Sequence, residues 1–262
     1  MGEQYKLSDC KLPWTNVWVT GASQGIGRSL TMALAAAGVN VIASARGIDN
    51  LQQLVADSAE LSGDIHIVPL DVTDYSAVLM AVEAIEASWG KLDLAVLNAG
   101  TYLPMKAIDF DCYLIQKQME LNVMGVCHCI EPLMQLFKQQ GQGHIAINAS
   151  LAGYRGLPNS GGYGASKAAL INLAESMRVE IDQRIIKIQV INPGFVKTPL
   201  TDKNTFPMPF LMDSDKAAHV LIKGLQSSRF EIRFPFGFGL IMGVLKHLPL
   251  SLYNKIIGRL SV

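Results

Sequence analysis

Short apolar runs recur along the chain, and the stretches between them are long enough to hold a helix each. The first, TNVWVT at 15–20, is rich in β-formers and leads into GRSLTMALAAAG at 27–38, whose Ala/Leu spacing and closing Gly38 predict a helix. The alternation continues. NVIASA (40–45), IHIVPLDV (65–72), LDLAVLNAG (92–100), HIAINAS (144–150) and IKIQVINPG (186–194) read as strands, and the spacing predicts helices over 49–61, 74–89, 109–139 and 163–183. Near-continuous apolar strands separated by helices predict a parallel sheet covered on both faces. Right-handed crossovers make that sheet doubly wound, with its ligand crevice at the carboxyl ends of the strands. With no repeat, linker or low-complexity segment in 262 residues, the expectation is one α/β domain spanning 1–262.

Charge and cysteine content remove several function classes. The 22 basic side chains balance 22 acidic ones, which argues against the concentrated basic face a nucleic-acid partner requires. MGEQYKLSDCKLPW at the N-terminus lacks a basic segment followed by an apolar one, so no signal peptide is read and the expected location is the cytoplasm. Cys10, Cys112, Cys127 and Cys129 are too few and too irregular for a disulfide framework. On a helix the two thiols of CHC at 127–129 point about 200° apart, so no metal site is expected there.

The chemistry begins at TGASQGIGRSL, residues 20–30. Gly21, Gly25 and Gly27 stand between the first strand and the first helix, where glycines let backbone amides approach a pyrophosphate at the positive end of the helix dipole. A plain structural turn would read the same way. Further along, YGASK places Tyr163 and Lys167 four residues apart at a helix start, so both project from one face. A phenol with a pKa near 10 becomes a usable acid or base at neutral pH when an ammonium stands beside it. Ser150 ends its strand thirteen residues before Tyr163, at the crevice edge, where its hydroxyl could hold a substrate oxygen. A serine-hydrolase reading competes poorly, because NASLAG is no G-x-S-x-G elbow.

From about residue 15 to 230 the chain resembles the short-chain dehydrogenase/reductase family, carried by TGASQGIG, LDV, NAG, ELNVMGV, INAS, YGASK and INPGFVKT in the family's order. The resemblance implies a Rossmann-like fold and a nicotinamide cofactor, with Tyr163 as general acid/base and Lys167 lowering its pKa while touching the nicotinamide ribose. It implies that Ser150 orients the carbonyl or alcohol, and that Asn122 holds a water in the proton relay from Lys167. Gly21, Ser23, Gln24, Gly25, Ile26 and Gly27 would form the phosphate turn. Asp71 and Val72 would meet the adenine, and Asn98, Ala99 and Gly100 would line the adenosine ribose and support the central strand. Pro193, Gly194, Val196 and Thr198 would border the nicotinamide, Val196 through its backbone. A homodimer or homotetramer through the helices at 109–139 and 163–183 is implied in the same way.

An acid ending the second strand would mark an NAD site. Here Ala45 stands in that place with Arg46 after it, and a guanidinium suits a 2′-phosphate. The expected cofactor is therefore NADP(H), with NAD(H) as the alternative, since Gln24 stands where NADP-preferring members of the family often carry a second basic residue. The substrate side is read from PLTDKNTFPMPFLMDSD, a flap over about 195–215 rich in Pro, Phe, Met and Leu, which favours a hydrophobic ketone, aldehyde or alcohol. Residues 234–260, FPFGFGLIMGVLKHLPLSLYNKIIGRL, hold an uncharged run too short to span a bilayer. They fit either packing within the protein or its oligomer, or an amphipathic segment on a membrane surface. A membrane-peripheral lipid or 3-ketoacyl-type reductase and a non-catalytic nucleotide-binding regulator stand as alternatives to the carbonyl reductase.

Overall fold

The computed structural model describes residues 12–203 and 207–258, so Cys10, three residues of the expected flap and the end of the apolar tail lie outside the described residues. Strand β1 (Asn16–Thr20) leads into helix α1 (Gly25–Ala36), then β2 (Asn40–Ala45), α2 (Ile48–Asp57), β3 (Ile65–Pro69) and α3 (Tyr75–Trp89). The second half runs β4 (Leu94–Leu97), α4 (Cys112–Met119), α5 (Gly125–Gln140), β5 (Gly143–Asn148), α6 (Gly161–Glu180) and β6 (Ile186–Pro193). After these come α7 (Ser214–Gln226), β7 (Glu231–Phe234), α8 (Phe236–His247) and α9 (Leu250–Gly258). The strands form one parallel sheet in the order β3-β2-β1-β4-β5-β6-β7. Winding reverses between β1 and β4, and that switch point is where a doubly wound sheet opens its crevice.

Both faces are covered. In β1, Trp18 faces a layer holding Val82 and Ile85 of α3, Leu133 and Phe137 of α5 and Leu170 of α6. Val17 and Val19 face the opposite layer, where Leu30 and Leu34 of α1, Leu51 of α2 and Leu221 of α7 close the core. The buried indole N–H of Trp18 donates to Ser44 Oγ at 2.9 Å, so the widest core side chain leaves no polar group unpaired.

The fold differs from the sequence expectation in three ways. The helix expected over 109–139 is divided: a π-helical turn at Glu120–Met124 separates α4 from α5. Just after it, α5 passes so close to Val72 that a Cβ on Gly125 would lie 2.7 Å from Val72 Cγ2. Helix α7 and strand β7 fall in a stretch the apolar pattern did not mark. The expected strands 65–72, 92–100 and 144–150 leave the ladder at Pro69, Leu97 and Asn148, so Asp71, Asn98 and Ser150 stand on the loops beyond it.

Candidate active site

The turn after β1 is built for close approach. Gly21 has φ +65°, and a Cβ on it would lie 2.9 Å from Ala99 Cα; one on Gly27 would sit 2.2 Å from the Gly21 carbonyl oxygen. Only hydrogen fits at these places. Helix α1 starts at Gly25 with no side chain capping it and no acid in its first turn, leaving a positive helix end facing the crevice. Thr198 lies over the turn: a Cβ on Gly25 would meet its Cγ2 at 2.9 Å.

Asn98 ties three strands together at the switch point. Its Nδ2 donates to the carbonyls of Thr20 and Gly21 at 3.1 and 3.2 Å, its Oδ1 accepts from Asn148 Nδ2 at 2.8 Å, and its N–H donates to Thr20 Oγ1 at 3.0 Å. The side-chain contacts of Asn98 thus support the β1, β4 and β5 ends. Thr20, which also accepts from the Ala99 N–H, was not singled out in the sequence, although it opens the TGASQGIG motif.

A cleft of about 340 Å³ runs from this turn to Tyr163 and Lys167. Ser23, Gln24, Ile26, Asp71, Val72 and Gly100 line it, and Pro199 and Leu200 from the flap close one side. Of the other expected residues, Gly27 packs against the Gly21 carbonyl and Ser150 is hydrogen-bonded beside Tyr163, while Asn122, Pro193, Gly194 and Val196 are not among the residues that line the cleft. Val196 is buried and forms a bridge with Met212, and its carbonyl accepts from Thr201 Oγ1 at 2.7 Å.

At the far rim Arg46 is 69% exposed, with Nη1 3.8 Å from Asp71 Oδ2. So long and open a pair leaves the guanidinium available. Asp71 is held from its other side by the N–H and hydroxyl of Thr73. Asn50, in the first turn of α2, lines the cleft beside Arg46 and was missed by sequence reasoning, whose only signal for it would have been its place three residues after the helix-capping Gly47.

Two titratable groups of the expected set meet at the start of α6. Tyr163 and Lys167 share one face of the helix, with Nζ 5.7 Å from the phenol ring centroid. Burial pushes the Tyr163 hydroxyl above its usual pKa of 10.0, a hydrogen bond from Ser150 opposes that rise, and the neighbouring Tyr102 adds to it. The depression expected from Lys167 is therefore replaced by a rise, because burial outweighs the groups that would lower it. Lys167 is itself the perturbed base: burial pulls its amine down to about 7. Its Nζ donates to the Asn148 carbonyl at 2.7 Å, a contact that motif spacing does not predict.

Ser150 Oγ donates to the Pro193 carbonyl at 3.3 Å and accepts from the Ala152 N–H at 3.1 Å, which fixes its place beside Tyr163. Tyr102 stands edge-on to Tyr163, their centroids 5.2 Å apart at 66°. Asn122 sits in the π turn and is fully buried. Its side chain accepts from the Thr101 N–H at 2.7 Å and donates to the Thr101 carbonyl at 3.0 Å and to Ser166 Oγ at 2.9 Å. A Cβ on Gly100 would lie 3.2 Å from Asn122 Oδ1 and 3.5 Å from Lys167 Nζ, so the two flank that glycine.

The family model described as short chain dehydrogenase matches residues 15–207. Among curated proteins, an uncharacterized oxidoreductase of Myxococcus xanthus is 36% identical over 251 residues, covering 95% of this chain and 99% of that protein. A 3-oxoacyl-(acyl-carrier-protein) reductase of Thermotoga maritima is 32% identical over 190 residues, covering 71% of this chain and 75% of that one. Among solved structures, a short chain dehydrogenase/reductase of Burkholderia phymatum in complex with NAD superposes with a TM-score of 0.79 at 20% identity, covering 89% of this chain and 93% of that one.

Proposed function

The chain belongs to the short chain dehydrogenase family and is an oxidoreductase, and on that premise we propose that it interconverts a hydrophobic ketone or aldehyde and the corresponding alcohol with NADP(H). The observation that carries the reading is the convergence of Ser150, Tyr163 and Lys167 at one end of a glycine-floored cleft. The cleft fits a dinucleotide: its floor has no room for a Cβ, and an uncapped helix end faces it. Gly21, Gly25 and the first turn of α1 would take the pyrophosphate, and Ser23 and Gln24 would flank it. Asp71 and Val72 would meet the adenine, Ala99 the adenosine ribose, and Pro193, Gly194 and Val196 would back the nicotinamide. Arg46, with Asn50 beside it, supports a 2′-phosphate, since Ala45 offers no carboxylate to a 2′-hydroxyl.

A nicotinamide bound there supplies the hydride in reduction and accepts it in oxidation. The chain's own part is the proton. Burial keeps Tyr163 protonated, so its O–H is ready to be transferred to a carbonyl oxygen as that oxygen gains charge, while Ser150 holds the same oxygen in place. Lys167, whose amine changes charge near pH 7, and Asn122 across Gly100 lead the replacement proton inward. Tyr102 and the flap's apolar residues would enclose the substrate. Exposed Phe110, Tyr113, Met124 and Val179, in and beside α4, α5 and α6, support a homodimer across that surface.

A carbonyl and alcohol panel followed by nicotinamide absorbance, with wild type and Tyr163→Phe, tests the reading. Removing the acid should lower turnover about 10²–10⁴-fold. Full turnover in the phenylalanine variant would refute the assignment. The Thermotoga relative favours one second reading, a 3-oxoacyl thioester substrate, and the same panel distinguishes it.

A further inference from the structure

Helix α8 is turned inside out relative to an ordinary surface helix, which shows water its polar side. It rests on the protein through Gly239 and Met242. The opposite side carries Phe236, Leu240 and Val244, four residues apart and therefore in one line, with exposures of 77%, 52% and 58%. Ile241 lies beside them, and α9 adds exposed Leu250, Leu252 and Ile256. The patch is continuous with the flap: the Phe238 ring lies 6.5 Å from that of Phe210 and 5.1 Å from that of Phe195. Half-buried Phe195 and Phe238 thus link exposed Phe210 of the flap to the exposed side chains of α8 and α9.

Charge selects the occupant. From Phe234 to Val262 the sequence has no Asp or Glu, and its charges are Lys246, Lys255 and Arg259, the last outside the described residues. Arg155 holds a further cation at the end of α8, its Nη1 donating to the carbonyls of Leu245, Lys246 and Leu248. Beside it a cavity of about 560 Å³ opens between α8 and the sheet edge, with Arg233, Lys246 and His247 on its polar wall and Leu240 and Val244 on its apolar one. Glu231, the acid in that wall, is engaged by the Tyr154 hydroxyl and by Asn192 Nδ2. A second copy packed here by a two-fold axis would set this lysine-bearing segment against itself with no acid of its own to answer. Arg155 is met by those carbonyls and by the Tyr253 ring, and Lys246 Nζ lies over the Tyr154 ring, but neither cation faces an acid of this segment, and an anionic surface supplies one.

We propose that α8, α9 and the adjoining Phe210 dock on an anionic phospholipid surface. The line Phe236–Leu240–Val244 enters the acyl boundary, Lys246 and Lys255 meet the phosphates, and the substrate mouth opens toward the lipid. The segment lies on the bilayer and does not cross it: α8 has 12 residues, and among the described residues no helix is long and apolar enough to span.

The test uses the full chain, sedimented with phosphatidylcholine vesicles with and without phosphatidylglycerol. Wild type should pellet with the anionic vesicles and be released by salt. Leu240→Ser with Val244→Ser, both on the outward face and expected to leave the melting temperature unchanged, should weaken partitioning at least tenfold. Lys246→Gln with Lys255→Gln should cost roughly fivefold per lysine, on anionic vesicles only. Wild type left in the supernatant with both vesicle types would overturn the proposal. So would loss of an oligomer, by light scattering, in the serine variant of a protein that does not bind vesicles, since a second copy would then cover the face.

Discussion

Replacing Lys167 by methionine should stabilise the fold at acid pH, and the gain should shrink as the pH rises. Burial lowers the amine from 10.5 to about 7, so between those values the folded chain binds fewer protons than the unfolded one and stability climbs with pH. Below pH 7 the full difference acts against folding: at about 1.4 kcal/mol per unit it amounts to roughly 5 kcal/mol. Above pH 7 the buried amine is neutral while the unfolded one is still charged, and by the same linkage the penalty falls to about 2 kcal/mol near pH 9. Methionine has similar length and no titration. It forfeits the bond to the Asn148 carbonyl, an offset of about 1–3 kcal/mol that does not depend on pH.

The variant should therefore unfold at higher urea concentration than wild type at pH 6, and the stability difference should narrow by about 2–3 kcal/mol at pH 9. Other titrating groups are common to both proteins and cancel. An equal stability difference at the two pH values would show that Lys167 keeps its ordinary pKa and would refute the argument from burial. Turnover should collapse in the same variant, a stabilising change that costs activity.

The remaining expectations concern the cofactor side of the cleft. Arg46→Ala should raise the KM for NADPH roughly tenfold to a hundredfold, the worth of one charged hydrogen bond, and leave that for NADH nearly unchanged; steady-state kinetics with both cofactors decide it, and equal effects would point to a charge with no role in selection. Gly27→Ala puts a methyl 2.2 Å from the Gly21 carbonyl oxygen, so cofactor binding followed by fluorescence titration should be lost even in protein that still melts cooperatively. Asn98→Ala removes the ties to Thr20, Gly21 and Asn148 and should cost roughly 2–4 kcal/mol in urea unfolding, whereas a change under 1 kcal/mol would mean the strand ends hold without it.

The parallel sheet was legible because its strands are buried on both faces and so read as unbroken apolar runs, as NVWVT in β1 and NVIASA in β2 do. Strand β7 escaped because EIRF is an edge strand of four residues with two charges, and α7 lies in a stretch whose polar half masks its buried Leu221, Ile222 and Leu225. The divided helix was illegible for a different reason. Nothing local in ELNVM breaks a helix, and the π turn is fixed by tertiary demands: Asn122 must reach Thr101 and Gly125 must clear Val72. In the site, the spacing of Ser150, Tyr163 and Lys167 predicted their convergence, while Thr20 and Asn148 lie inside motifs whose spacing does not reveal their contacts, and Asn50 and Tyr102 carry no motif that separates them from ordinary turn or core residues.

Solvation is what periodicity could not convey, and it reverses one expectation. A Tyr/Lys pair at i and i+4 on an exposed helix would lower the phenol's pKa through the lysine's charge; enclosed at the head of α6, both groups move toward their neutral forms. The fold tolerates the buried amine because β5 ends at Asn148, whose carbonyl turns to Nζ, and because Asn148 is held in place by Asn98, which also fixes the glycine turn. An ammonium has three N–H donors, and Gly100 leaves the space beside Nζ clear of any Cβ. The same asparagine pair thus sets both the glycine-turn floor and the carbonyl that orients Lys167. Tilting either strand end would disturb binding and proton transfer together, which is why the two halves of the site stand on adjacent strands of one sheet.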